Sequence, residues 1–169
     1  LHKINGKWFL IKGGLWKATT GLVDYKGKTF YVVGGKWNSG LKDTLYKISG
    51  KWYYIVNGKL ATDQTTLVKY EGKWFYVEKG KVALTSRFVV YKGVTFYIKG
   101  GKWDKTLDTL VKKDGTYYAV KGGKWYSSKA IISYNGKKFY VNKGYAQLKF
   151  SGKVTIGKKK YTVKKGIIK

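Results

Sequence analysis

Side chains able to do acid–base or metal chemistry are few in this 169-residue sequence, and they are scattered. The only histidine is His2, and the acidic complement is Asp24, Asp43, Asp63, Glu71, Glu78, Asp104, Asp108 and Asp114. Catalysis needs unlike groups converging on one place. These carboxylates form no recurring pair, none is spaced for acid–base work, and no Asp-rich loop has the ligand spacing of a calcium site. There is no cysteine, hence no thiolate metal site and no disulfide frame. Lys-Gly-Gly segments at Lys12, Lys99 and Lys121 have the composition of a phosphate nest, but tight turns need the same glycines. The expectation is a non-catalytic protein without cofactor or metal.

Lysines and aromatic rings are what the chain has in quantity. Thirty-six Lys and Arg against eight Asp and Glu give a net charge of +28, and aromatic residues make up 18%. Tryptophan falls at the second residue after a recurring glycine (Trp8, Trp52, Trp74) or at the tenth (Trp16, Trp37, Trp103, Trp125). The first kind faces a lysine if the flanking runs pair as a hairpin: Lys3 with Trp8, Lys47 with Trp52, Lys69 with Trp74. Lys112 faces Tyr117 in the same way, whereas Thr29 faces Asp24 and Thr95 faces Val90. A cross-strand ammonium over an indole is worth about 0.5–1 kcal/mol when exposed. Indole faces also suit sugar rings, so these tryptophans and lysines, with Tyr31, Tyr54, Tyr76, Tyr97 and Tyr140 beside them, are the candidate ligand-binding residues.

The elements that must position them follow from one stretch, LVKYEGKWFYVEKGKV, Leu67 to Val82. Two β-rich runs flank a two-residue turn ending in Gly72, which reads as a hairpin with a type I′ turn. The motif recurs at Gly6, Gly27, Gly50, Gly72, Gly93, Gly115, Gly136 and Gly157, in steps of 21 to 23 residues. A fixed period of this length marks a repeat architecture. The expected fold is all-β, a solenoid of stacked hairpin repeats in a single array over 1–169. Its approximate units are 1–20, 21–43, 44–65, 66–86, 87–108, 109–129, 130–150 and a degenerate C-terminal unit, 151–169. That last unit is read as a cap or a diverged repeat, with Gly166 one residue later than the pattern requires. The start in mid-pattern at Leu1, with no Met in the sequence, reads as a piece of a longer processed chain. No apolar run approaches the ~20 residues of a membrane span.

Alternation along a strand sorts the faces. The third residue after each glycine is aromatic in seven of seven units (Phe9, Phe30, Tyr53, Phe75, Phe96, Tyr118, Phe139). The fifth is β-branched in the same seven (Ile11, Val32, Ile55, Val77, Ile98, Val120, Val141). That face is assigned to the shared core, because a lone two-stranded hairpin is marginal in water. The two tryptophan positions of a unit are expected to lie diagonally on the other face.

Units of this length written NGKWFLIKGG, SGKWYYIVNGK, EGKWFYVEKGK and NGKKFYVNKG resemble the cell-wall-binding repeats of Gram-positive surface proteins. Choline-binding, glucan-binding and clostridial toxin repeats belong to that group. The resemblance covers almost the whole chain and implies a hairpin solenoid with shallow aromatic sites between consecutive hairpins. Where choline-binding units usually open with a Gly-Trp pair this sequence has GLV, DTL, TTL or DTL, so the choline cage is not carried over.

Lysine follows the first glycine at Lys7, Lys28, Lys51, Lys73 and Lys137, and the second at Lys36, Lys59, Lys81, Lys102 and Lys124. A charge of +28 exceeds the roughly 2–8 that solubility asks for, and rows of lysine suit a repeated anionic polymer bound through many weak contacts. The expected partner is an anionic wall polymer of teichoic-acid type, or a glycan, at the cell wall or surface of a Gram-positive bacterium. Nucleic acid is the runner-up on charge, but Arg87 is the only arginine, and arginine is the residue that reads phosphate bidentately. Attraction to anionic lipid and a structural or adhesive stalk with no glycan ligand are the remaining readings.

Overall fold

The computed structural model describes residues 1–169, and every element in it is a strand or a turn. Each repeat after the first holds three strands, exemplified by Thr66–Tyr70, Lys73–Glu78 and Lys81–Val82. In the first repeat the middle strand breaks at Leu10, so there are four: His2–Ile4, Lys7–Phe9, Ile11–Lys12 and Leu15–Trp16.

The outer turn of each hairpin joins the first two strands in the register the sequence dictates, Tyr70 opposite Lys73 and Leu67 opposite Tyr76. Both central residues are left-handed, as a type I′ turn requires: Glu71 has φ 47° and Gly72 has φ 76°. The inner turn, Lys79-Gly80 in this repeat, folds the short third strand back onto the second, with Val77 opposite Val82. The free edge of that third strand then pairs with the middle strand of the preceding repeat, Lys81 opposite Tyr53. Shared strand edges are thus how a unit too small to persist alone is stabilised by its neighbour.

The chain divides into two compact units, Leu1–Thr85 with Gly100–Lys102, and Ser86–Lys99 with Trp103–Lys169. In the first, Trp8 pairs with Trp37, Phe30 with Lys59 and Tyr53 with Lys81 between successive repeats. Its apolar centres are Tyr31, Ile48 and Ile55, and then Leu45, Val68 and Val77. In the second, Phe96 pairs with Lys124, Tyr118 with Tyr145 and Phe139 with Ile167. Its centre is Leu110, Ala119, Ala130, Ile132 and Val141. The β-branched position assigned to the core is fully buried at Val32, Ile55, Val77, Ile98, Val120 and Val141, each worth about 1.5–3 kcal/mol relative to exposure. The other face is buried too, at Leu45, Leu67 and Tyr76. Hairpins are therefore covered on both sides.

The last repeat corrects one expectation. Ile156 pairs with Lys159, so Gly157 (φ 61°) is the first central residue of its turn, where every other hairpin has glycine second. Counted from the turn rather than from the glycine, Gly166 is in register with the other inner-turn glycines. Tyr161 then takes the aromatic position and Val163, 2% exposed, the β-branched one. The spacing anomaly was a change of turn chemistry, since a glycine in the first position serves a two-residue hairpin turn equally well.

Candidate functional site

The inner turn does more than reverse the chain. Its glycine carbonyl accepts the backbone N–H of the preceding repeat's middle strand: Tyr31 to Gly58 (2.9 Å), Tyr54 to Gly80 (2.8 Å), Tyr97 to Gly123 (2.9 Å) and Ala119 to Gly144 (2.9 Å). The tryptophans of the tenth position sit under these same glycines. Trp37 donates its indole Nε1–H to the Gly58 carbonyl at 2.9 Å, and Trp125 to that of Gly144 at 3.2 Å. An added methyl at Gly58, Gly123 or Gly144 would overlap the indole beneath it. Trp103 occupies the equivalent place under Gly123, with its Nε1 buried and without an acceptor.

This changes where the tryptophans stand relative to one another. Trp37 is opposite Val32, and Trp16 opposite Ile11. Cross-strand partners share a face, so the late tryptophan lies on the Phe30–Val32 side, away from the early position of its own repeat. The diagonal arrangement expected within a unit is not formed. The early Trp8 instead meets the late Trp37 of the next repeat, edge to face at 6.3 Å, and Trp37 meets Phe30 at 5.2 Å. Trp8, Tyr25, Phe30 and Trp37 with Lys28 and Lys59 line an apolar cleft of about 340 Å³.

Lysine enters these ring clusters from a direction the hairpin register does not reveal. The lysine after the inner-turn glycine lies over rings of the preceding repeat. Lys36 Nζ is 6.0 Å from the Phe9 centroid and 5.8 Å from Trp16. Lys59 is 5.5 Å from Phe30 and 5.7 Å from Trp37, and Lys124 is 5.4 Å from Phe96 and 5.9 Å from Trp103. Lys102 covers Phe75 at 5.4 Å. The cross-strand pairs read from the sequence are in register, Lys3 with Trp8, Lys47 with Trp52, Lys69 with Trp74 and Lys112 with Tyr117. Of these, Lys112 holds its ammonium 5.6 Å from the Tyr117 ring.

The other candidates divide by burial. Trp8, Trp37, Trp52, Trp74, Trp103, Tyr54 and Tyr97 are half-buried, Trp16 and Trp125 are exposed, and Lys3, Lys47, Lys69 and Lys112 are exposed. Tyr31, Tyr76 and Tyr140 are buried in the packing between hairpins. Burial, with the neighbouring Tyr46 second, raises the Tyr31 phenol above the usual tyrosine range. Tyr97 packs on Phe88 at 5.1 Å and Tyr140 on Phe150 at 5.4 Å.

Several carboxylates have structural partners. Asp43 and Asp108 accept the backbone N–H of Asn57 and Gly122 at the inner turns, 14 residues on, where Thr20, Thr65 and Ser151 serve other repeats. Asp24 accepts from the Thr29 hydroxyl at 2.6 Å. Asp104 takes both the hydroxyl and the backbone N–H of Thr106, and these bonds hold its carboxyl below the usual range. A small polar residue recurs 14 positions before the inner turn, at Thr20, Asp43, Thr65, Ser86, Asp108 and Ser151 with Lys129 the exception, and that was the signal in the sequence for the roles of Asp43 and Asp108.

Comparison with known proteins adds the following. Among solved structures the chain is similar to an alternansucrase, ASR, in complex with isomaltononaose, at 18% identity over 98% of this chain and 14% of that one, TM-score 0.44. It is similar to CbpJ from Streptococcus pneumoniae at 15% identity over 95% of this chain and 57% of that one, TM-score 0.44. For choline binding protein F from Streptococcus pneumoniae the values are 17%, 95%, 56% and 0.42. The chain spans less than two thirds of each of these proteins. No curated protein sequence matches it. Residues 18–38, 42–61 and 63–83 each match the family model of the choline-binding repeat. Three of the repeats thus match the choline-binding repeat by their own sequence, and the resemblance to the Gram-positive cell-wall-binding repeat group holds.

Proposed function

We propose that the chain is a non-catalytic attachment module that holds its parent protein on an anionic wall polymer, teichoic-acid-like, at the surface of a Gram-positive bacterium. The observation that carries this reading is the recurrence of lysine ammonium groups on aromatic clusters in a chain of net charge +28. The outer-turn lysines Lys7, Lys28, Lys51, Lys73 and Lys137 are all exposed and add to the positive surface. Many weak contacts to a repeating polyanion sum through multivalency, and exposed charge pairs weaken as salt shortens the Debye length.

Retention on purified Gram-positive walls tests this. The chain should stay on intact walls, leave walls stripped of teichoic acid, and elute as salt is raised well above physiological strength. Retention on stripped walls or neutral glucans, unaffected by salt, would favour a sugar-stacking site. Empty pulldowns with walls, glycans and nucleic acid at low salt would leave a structural stalk.

A further inference from the structure

We propose that Lys36, Lys59 and Lys124 are resident cations: each ammonium fills the cation site of its own ring pair, closing it to an external methylated ammonium and leaving N–H donors for an oxyanion. Aromatic faces attract a cation within about 6 Å of the ring centroid. All three ammonium groups meet two rings inside that limit, Phe9 with Trp16, Phe30 with Trp37, and Phe96 with Trp103. A lysine ammonium carries three N–H donors, and a ring pair does not use them all.

The lysine is replaced where the ring set changes. The fourth late tryptophan, Trp125, lies under Gly144, but tyrosine follows that glycine, and Tyr145 packs on Tyr118 at 5.2 Å. Lys59 is half-buried, while the outer-turn lysines are exposed. Partial desolvation strengthens an ion–ring attraction, so Lys59 is the best-held of the three. The cleft beside it, about 340 Å³ with the lysine in place, corresponds to roughly ten waters of about 30 Å³ each, so space for a small organic cation already exists and it is the Lys59 charge on the rings that keeps one out.

The oxyanion half of this proposal rests on the function proposed above; the exclusion of organic cations does not. The test is a titration of the whole chain with tetramethylammonium chloride, read from the Trp37 indole N–H resonance. The wild type should show no saturable shift. Lys59→Gln should saturate, at least about tenfold more tightly than any wild-type response, as expected for a cation entering a multi-ring site. Adding Trp37→Ala to Lys59→Gln, followed at the remaining indoles and by direct calorimetry, should remove the gain. Lys28→Gln deletes one charge from the same cleft and should behave as wild type. Lys124→Gln, in the other compact unit, repeats the experiment at an independent site should Lys59→Gln not fold. A folded Lys59→Gln that gains no tetramethylammonium binding overturns the proposal, as does a wild type that binds it equally well. Gain in the variant together with no wall retention by the wild type would sink the attachment function and leave the resident cation standing.

Discussion

Outer and inner turns use nearly the same residues, Glu71-Gly72-Lys73 against Lys79-Gly80-Lys81, and the same left-handed backbone, φ 76° at Gly72 and 75° at Gly80. Their surroundings differ completely. Nothing lies within 4 Å of a methyl built on Gly72, or on any outer-turn glycine from Gly6 to Gly157. At Gly80 the same methyl would lie 2.9 Å from the Ala61 carbonyl oxygen, and at Gly58 it would overlap both the Asn38 carbonyl and the Trp37 indole. Outer-turn glycine is there for conformation alone, while inner-turn glycine also lets one repeat approach the next. The inner turn of the first repeat makes the point within the same motif: Gly14 is exposed and meets nothing, while Gly35, Gly58, Gly80, Gly101, Gly123, Gly144 and Gly166 are buried.

The largest effect should come from testing that contrast directly. Gly72→Ala places a side chain at positive φ in open space and should cost about 1–2 kcal/mol, the left-handed penalty for an L-residue. Gly58→Ala carries the same penalty plus overlap with backbone and an indole that cannot both move away, and should cost roughly 3 kcal/mol or more. Urea midpoints followed by tryptophan fluorescence measure both. Equal losses at the two sites would mean that close approach contributes nothing and that turn conformation explains every glycine.

A smaller effect separates two inner turns from each other. Trp37 donates its Nε1–H to Gly58, whereas the Nε1 of Trp103 is buried without an acceptor under Gly123. Phenylalanine removes the donor in each case and shrinks the ring by a similar amount. Trp37→Phe loses a hydrogen bond worth about 1 kcal/mol, while Trp103→Phe removes a buried unmet donor costing about 1–3 kcal/mol. Trp37→Phe should therefore be the more destabilising of the two, in the same denaturation experiment. The reverse order would show that indole packing, not the N–H, seats the glycine.

The same contrast explains what was legible in the sequence. Outer hairpins are local: register, turn type, the half-buried third position after the glycine and the buried fifth all follow from alternation over ten residues. The inner turn is not local, because its glycine, tryptophan and lysine meet groups from a neighbouring repeat. Lys59 over Phe30 and Trp37 joins positions 29 and 22 residues apart, and no hairpin pairing rule brings them together. Lys3, Lys47 and Lys69 were legible as partners of Trp8, Trp52 and Trp74 because those pairs sit within one hairpin. Tyr31, Tyr76 and Tyr140 were ambiguous because alternation places them on the face opposite the assigned core, and the neighbouring repeat then buries that face as well. Gly157 misled by its residue type: a glycine marks a turn without saying which central position it fills.

The smallest effect concerns how an inner turn is held from below. A methyl on Gly123 would overlap the Asp104 carbonyl oxygen, and the Asp104 side chain holds the loop by accepting the Thr106 hydroxyl at 2.7 Å and its backbone N–H at 2.8 Å. These two bonds lower the Asp104 carboxyl from its ordinary value. A folded-state value below the unfolded one contributes stability above the unfolded value, near 4, and that contribution is lost as pH falls through the folded value. Acidification from about pH 4 downward should therefore lower the protection of the Thr106 amide relative to its intrinsic exchange rate at each pH, and with it that of the Gly123 amide, which donates to Leu107 at 2.8 Å. Asp104→Asn keeps an acceptor but removes the titration, so its protection relative to the intrinsic rate should be flat over the same range at these two amides. The outer-turn amide of Gly115 provides the comparison, since its turn has no neighbour within reach of its glycine. If Thr106 and Gly123 respond to acid no differently in Asp104→Asn, the loop is held by its backbone alone, and the contrast between the turns reduces to sterics.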